Sequence, residues 1–329
     1  MARSMETPMI ENCTVRAVNR RASTWVGALS AKVFALVLTC SVALADAPAR
    51  VCGWTTDPAT APVRIIPDTL PEALNTGPAL PGLVGLRRWL APVKGEDAPP
   101  PPQFCGGTAV APNAVLTARH CVEGRSWIRL DVTAPAPNGL RFMREATTAL
   151  CPVLSVPGRL HRDMALILLK EPLPSEIPFA GLVTEAQMNR LSGEDELMLA
   201  SWPLAMLSAR EVEARRTRLR AEGMGPYDML VTRRLAGHRR GPCGGESGSP
   251  VYAEVGGSWA LFAVLSAISR PEPVNQDRTD RCADPETRAL LTPTVGFRAW
   301  IDETLRHCAE RPEACAAPAI AANVAGQDE

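Results

Sequence analysis

Three short stretches of the chain carry residue types suited to acyl-transfer chemistry. Residues 241–250, GPCGGESGSP, set Ser247 among four glycines and two prolines. Residues 105–121, CGGTAVAPNAVLTARHC, end on His120 beside Cys121. Residues 161–169, HRDMALILL, place Asp163 at the entry to an apolar run. A serine hydroxyl is a poor nucleophile at its own pKa and needs an adjoining base. The base in turn needs a carboxylate to fix its tautomer and stabilise its charged form. Each stretch alone has a plainer reading. Gly, Ser and Pro are turn residues, and an Asp before a strand commonly starts one. The order His, Asp, Ser, with separations of 43 and 84 residues, is what sets them apart. It is one of the three orders in which a serine triad occurs.

Positioning such residues falls to many short strands. Apolar segments recur at Leu83–Leu90, Phe104–Thr117, Trp127–Val132, Ala149–Val156, Met164–Leu169, Leu197–Trp202, Met229–Arg233, Pro250–Val255 and Trp259–Ile268. Gly, Pro or Asp separates them, the pattern of strands joined by turns. Val255-Gly-Gly-Ser-Trp259 reads as a hairpin turn between two of them. One helix is expected, over residues 297–310, with Phe297, Trp300, Ile301 and Leu305 on one face. A mostly β body with a C-terminal helix fits a sandwich or a double barrel.

Composition bounds the rest. The 329 residues are 46% apolar and 21% charged, as in a globular chain with a sizeable core. Lys plus Arg equals Asp plus Glu at 35 each, which argues against a nucleic-acid partner. Arg16, Arg20, Arg21 and Lys32 precede a 13-residue apolar run, residues 33–45, that ends Ala-Leu-Ala. That reads as a signal peptide over residues 1–45, with no stable membrane span after its removal, an uncleaved anchor being the alternative. The Ala-, Pro- and Arg-rich composition suggests a bacterial chain, hence a secreted or periplasmic one. Eight of ten cysteines remain beyond residue 45, an even count that implies disulfides. No Cys-x-x-Cys pair occurs and the four histidines are scattered, so no metal is expected.

The three stretches together resemble the chymotrypsin/trypsin-like serine protease family. That family carries T-A-A-H-C, D-I-A-L and G-D-S-G-G-P. Here they stand as Thr117-Ala-Arg-His-Cys121, Asp163-Met-Ala-Leu166 and Gly245-Glu-Ser-Gly-Ser-Pro250. The resemblance spans about residues 64–310. It implies an all-β fold of two six-stranded antiparallel β-barrels with a C-terminal α-helix. The first barrel would take residues 64–185, and the second, with the helix, 186–310. Residues 46–63 would be an N-terminal extension or propeptide, and 311–329 a flexible tail. It implies an exported serine endopeptidase acting on protein or peptide substrates as a monomer, with no cofactor. His120 would be the base, Asp163 its orienting carboxylate and Ser247 the nucleophile. The backbone N–H groups of Gly245 and Ser247 would form the oxyanion hole. Cys105 would pair with Cys121, and Cys243 with Cys282. Among Cys52, Cys151, Cys308 and Cys315 several pairings stay open. A local Cys308–Cys315 pair and a long-range Cys52–Cys151 pair form one consistent set.

The sequence departs from the family at several positions. Glu246 stands where the family has the Asp that pairs with a newly freed N-terminus. Arg64-Ile65-Ile66 only faintly resembles the family's activation site. Arg119 replaces a small Ala and is expected to point outward. The substrate pocket would be lined by Gly241, Ser266 and Ile268. Gly241 occupies the place of the trypsin-type Asp, so Arg or Lys preference is unsupported. A branched Ile268 narrows the pocket, which points to small or medium apolar P1 side chains. Two rivals follow. One is a catalytically silent trypsin-like fold that binds proteins. The other is an α/β-hydrolase, disfavoured because Ser249 breaks G-x-S-x-G and the triad order is reversed.

Overall fold

Short strands, several of them buried along most of their length, close into two barrels. The computed structural model describes residues 49–54, 80–90, 103–123, 127–135, 141–153, 163–191, 194–201, 215–225, 228–236, 241–269 and 284–315. The expected signal peptide, the Arg64 segment, residues 91–102, Cys282 and residues 316–329 of the expected 311–329 tail lie outside these.

The first barrel is built from β2 (Leu83–Leu90), β3 (Gln103–Ala111), β4 (Ala114–Thr117), β5 (Trp127–Pro135), β6 (Arg141–Pro152) and β7 (Ala165–Leu169). Its order is β6-β5-β2-β3-β4-β7, and pairing of β6 with β7 closes it. All these pairings are antiparallel. Within the segment 46–63, Ala49–Trp54 forms β1, which pairs with the second half of β6. β5 occupies the first half of β6, and β1 takes up the same edge where β5 leaves it.

The second barrel contains β8 (Glu196–Ser201), β9 (Arg215–Met224), β10 (Leu230–Arg234), β11 (Pro250–Val255), β12 (Ser258–Ser269) and β13 (Arg288–Pro293). It closes in the order β10-β13-β12-β11-β8-β9. β11 and β12 form the expected hairpin, with Val255 opposite Ser258. Gly256 and Gly257 both have positive φ, 61° and 78°, as a two-residue type I′ turn requires. The fold is therefore the double six-stranded barrel, with β1 as an added strand. A short helix, α1 (Glu185–Met188), follows the first barrel, capped by Thr184 and Gln187 in a capping box. The chain's described end is α2 (Arg298–Glu310) followed by α3 (Pro312–Cys315).

Each barrel has its own apolar filling. Trp127, Leu130, Val132 and Ile167 fill the first, and Leu199, Leu219, Val251 and Leu291 the second. A third cluster lies between them. It joins Leu116, Met164, Leu166 and Leu168 to Tyr252, Leu261 and Val264, with Ile301 of α2 on top. Phe297, Trp300 and Leu305 pack on that same layer, the face that the helical spacing marked. Buried Tyr252 donates its hydroxyl to the Pro81 carbonyl at 2.6 Å, which ties β11 to the approach to β2. Three disulfides lie wholly within the described residues: Cys52–Cys151, Cys105–Cys121 and Cys308–Cys315. Cys243 is disulfide-bonded as well.

Candidate active site

His120 sits in a single 3-10 turn, Arg119–Cys121, directly after β4. All four residues of β4 are buried, so the strand is clamped and delivers the turn to a fixed place. Asp163 lies just before β7, the neighbour of β4, with only 1% of its surface exposed. Its two carboxylate oxygens both reach His120. Oδ1 accepts the His120 backbone N–H at 2.9 Å, and Oδ2 lies 2.8 Å from the ring Nδ1. The first bond fixes the main chain of the turn, and the second the ring. With Nδ1 turned to the carboxylate, Nε2 is the nitrogen left to meet a proton donor. The His120 side chain is 40% exposed, so that nitrogen belongs to a ring open to solvent.

Ser247 reaches this neighbourhood from the other barrel. The loop before β11 is sewn to the first barrel by a hydrogen bond from Gly106 N–H to the Ser247 carbonyl, 2.7 Å. On its other side Gly248 N–H donates to the Leu265 carbonyl of β12 at 2.7 Å, and Leu265 N–H to Ser249 at 2.9 Å. Close approach here depends on glycine. Gly248 has φ +78°, and a Cβ on it would lie 2.2 Å from Thr117 Oγ1, 2.5 Å from the Gly106 carbonyl and 3.0 Å from Ala118 N. The residue after Ser247 is thus packed onto the last residues before the histidine turn. Gly106 has its own need: a Cβ there would meet Ser249 Oγ at 2.1 Å. The Cys105–Cys121 bridge closes the same corner from beneath. It also removes any metal site there. Cys105, Cys121 and His120 offer atoms within 4.8 Å of one another, but both sulfurs are spent on the disulfide.

The loop's backbone enters the left-handed region at a second glycine as well. Gly245 has φ +90°, outside the range that side chains accept easily. Among the described residues, no hydrogen bond takes up the N–H of Gly245 or of Ser247. Between them, Glu246 points inward and is 3% exposed. Its Oε1 accepts the Ser201 hydroxyl at 2.8 Å, and its Oε2 the Cys243 N–H at 2.8 Å. Ser201 is the last residue of β8, itself 2% exposed. The longer Glu side chain therefore finds donors inside the second barrel. Nothing in the sequence alone singled out Ser201 as its partner.

The expectation for Arg119 is overturned. It does not point outward but is 2% exposed, with Nε 3.0 Å from Glu123. A guanidinium can be buried there because its counterion sits one helical turn ahead. Gly241, Ser266 and Ile268, the residues expected to line a pocket, are all among the described residues. Gly241 is buried at the loop's start. Ser266 and Ile268 lie on β12, immediately beyond the residue that holds Gly248 and Ser249. Ser266 is 2% exposed and its hydroxyl is 2.6 Å from that of Thr292 on β13. The pairing shifts register between Leu265 and Ala267, so Ser266 sits at a bulge. Ile268 is half-buried, and the segments 237–240 and 270–283 lie outside the described residues.

Several known proteins are similar to this chain. The family model described as Trypsin matches residues 82–301, more than half of the chain. Mouse serine protease 56 is 26% identical over 61% of this chain and 34% of its own length. Human kallikrein-2 is 28% identical over 61% of this chain and 80% of its own. CLIP domain-containing serine protease B4 of Anopheles gambiae is 23% identical, covering 72% of this chain and 74% of its own. The chain spans less than half the length of the serine protease 56 relatives. These relatives are animal proteins, so they lend no support to the bacterial origin suggested by composition.

Proposed function

Because the chain belongs to the trypsin family of serine proteases, we propose that it is an exported serine endopeptidase working through His120, Asp163 and Ser247. One observation carries this reading. A carboxylate buried to 1% exposure grips both the backbone and the ring of a solvent-open histidine, and the serine loop is docked onto the strand that bears that histidine. Nε2 of His120 accepts the Ser247 hydroxyl proton as Oγ attacks the scissile carbonyl, and later returns it to the leaving amine. Asp163 keeps the tautomer correct and stabilises the imidazolium. The N–H groups of Gly245 and Ser247 receive the negative oxygen of the tetrahedral intermediate. Each such donor is typically worth about 3–4 kcal/mol of barrier. No step needs a metal or cofactor.

Export is supported by the four cysteine-derived crosslinks, since disulfides persist in oxidising compartments. The secreted extracellular route fits better than a periplasmic one, given the animal relatives. Among the described residues no helix is long and apolar enough to cross a membrane. For the substrate, Gly241 leaves no acidic group at the start of the pocket, and Ile268 adds a branched wall. Small or medium apolar P1 residues suit that shape. Cleavage of a peptide library, with product termini read by mass spectrometry, tests this. Products should end in Ala, Val or similar residues, and Ser247→Ala should abolish them. Products ending mainly in Arg or Lys contradict the pocket assignment, and equal cleavage by Ser247→Ala contradicts the peptidase reading.

A further inference from the structure

The histidine turn is held from a second side, by a strand that precedes the barrel. Glu123, two residues past the turn, presents both carboxylate oxygens to arginines. Oε2 lies 3.0 Å from Nε of buried Arg119, the residue before His120. Oε1 lies 3.0 Å from Arg50 on β1. The main chain of Glu123 is fixed too. Its N–H donates to the Arg119 carbonyl at 2.8 Å, and its carbonyl accepts Arg88 of β2 at 3.2 Å. β1 is in direct contact with the same turn. A Cβ on Gly53 would lie 2.6 Å from the Val122 carbonyl and 2.2 Å from the Trp127 ring. Cys52 shares one apolar cluster with Ala118, Cys121, Val122 and Trp127, and its disulfide to Cys151 anchors β1 on β6.

Resting on the peptidase reading above, we propose that β1 is a permanent part of the catalytic domain and that Arg50 and Glu123 are positioning residues for His120. Asp163 grips the turn from the β7 side. The Arg50–Glu123–Arg119 chain grips it from the β1 side. Release of the second grip lets the turn drift against Ser247 while the substrate pocket, formed elsewhere on β12, stays intact. A small misplacement of a base lowers kcat far more than it changes substrate binding. β1 also lies upstream of Arg64-Ile65, so a cut there leaves it attached through Cys52–Cys151. The active form accordingly retains residues 49–54.

Arg50→Gln is the variant of choice, since it keeps most of the side chain and leaves the buried Arg119–Glu123 pair in place. It should lower kcat about tenfold with KM within about twofold of wild type. Arg50→Lys, which can restore the ion pair, should recover most of that loss. Arg50→Gln with wild-type kcat, or with kcat and KM both altered and no recovery in Arg50→Lys, overturns the proposal. Amide exchange at Val122 and Glu123 gives a readout that needs no turnover. It should be faster in Arg50→Gln than in wild type, and equal rates overturn the coupling. A wild-type protein that cleaves nothing, yet shows this exchange difference, would refute the peptidase reading and leave the grip on the turn standing. Active enzyme lacking residues 49–54 by mass refutes the retention of β1.

Discussion

Replacing Ser201 by alanine is the sharpest probe of how the serine loop is held. Glu246 is 3% exposed and stands in sequence between the two proposed oxyanion donors, so how its side chain is anchored bears on where their backbone lies. Ser201 Oγ supplies Oε1 with a hydrogen bond of 2.8 Å. A hydrogen bond to a charged, buried acceptor is worth about 1.5–3 kcal/mol net, and its loss leaves the carboxylate partly unsatisfied. Ser201→Ala should therefore destabilise the fold by about 2 kcal/mol, which for a chain of this size lowers Tm by roughly 3–4 °C. The effect on rate follows from geometry. Removal of one oxyanion donor costs about 100- to 1000-fold in kcat. A loop that is loosened but still crosslinked through Cys243 should lose roughly tenfold. Glu246→Asp sharpens the contrast. Asp is the residue the family has here, but it is one methylene too short to span from the loop to Ser201 and Cys243 N–H together. It should be slower than wild type, because the donors that Glu246 uses are built into β8 and the loop itself. Calorimetry and steady-state kinetics on purified, oxidised protein check both variants. Ser201→Ala with unchanged Tm and kcat, or Glu246→Asp faster than wild type, would refute this account of the loop.

Two further outcomes follow from close contacts at the same corner. Gly248→Ala places a Cβ 2.5 Å from the Gly106 carbonyl at a φ of +78°, so the loop must lift from the histidine-bearing strand. Its activity should fall by at least about 100-fold while the disulfides still form, as measured by peptide hydrolysis and thiol titration. Ser249→Ala should go the other way. Its hydroxyl is buried with no hydrogen-bond partner among the described residues, so removing it relieves an unpaired polar group. A gain in stability of up to about 1 kcal/mol in urea unfolding is expected, with activity near that of wild type.

Much of this architecture was legible in local pattern. The hairpin at Gly256-Gly257 and the apolar face of α2 follow from residue spacing within one element, where pattern and structure share a period. The His120–Asp163 contact was accessible through motif order, because each residue sits at the end of a strongly apolar strand. What escaped depends on contacts between segments distant in sequence. Residues 49–54 look merely extended in isolation, and only β6 makes them a strand. β13, Arg288–Pro293, carries no run of apolar residues long enough to stand out, and is fixed by β10 and β12 on either side. Arg119 was misplaced for the same reason. An arginine beside a solvent-open histidine reads as exposed until Glu123, and behind it Arg50, are seen to meet it. Ser201 gave no signal at all, since a hydroxyl at a strand's end has many ordinary uses.

The claim on which the rest depends is that His120 and Asp163 activate Ser247. Treatment of the mature, oxidised protein with a fluorophosphonate probe tests it most directly, with wild type beside Ser247→Ala and His120→Ala. One covalent adduct mapped to Ser247, absent in the serine variant and strongly slowed in the histidine variant, is the predicted result. No adduct on a wild-type protein shown to be folded, or labelling that is indifferent to His120, would contradict it.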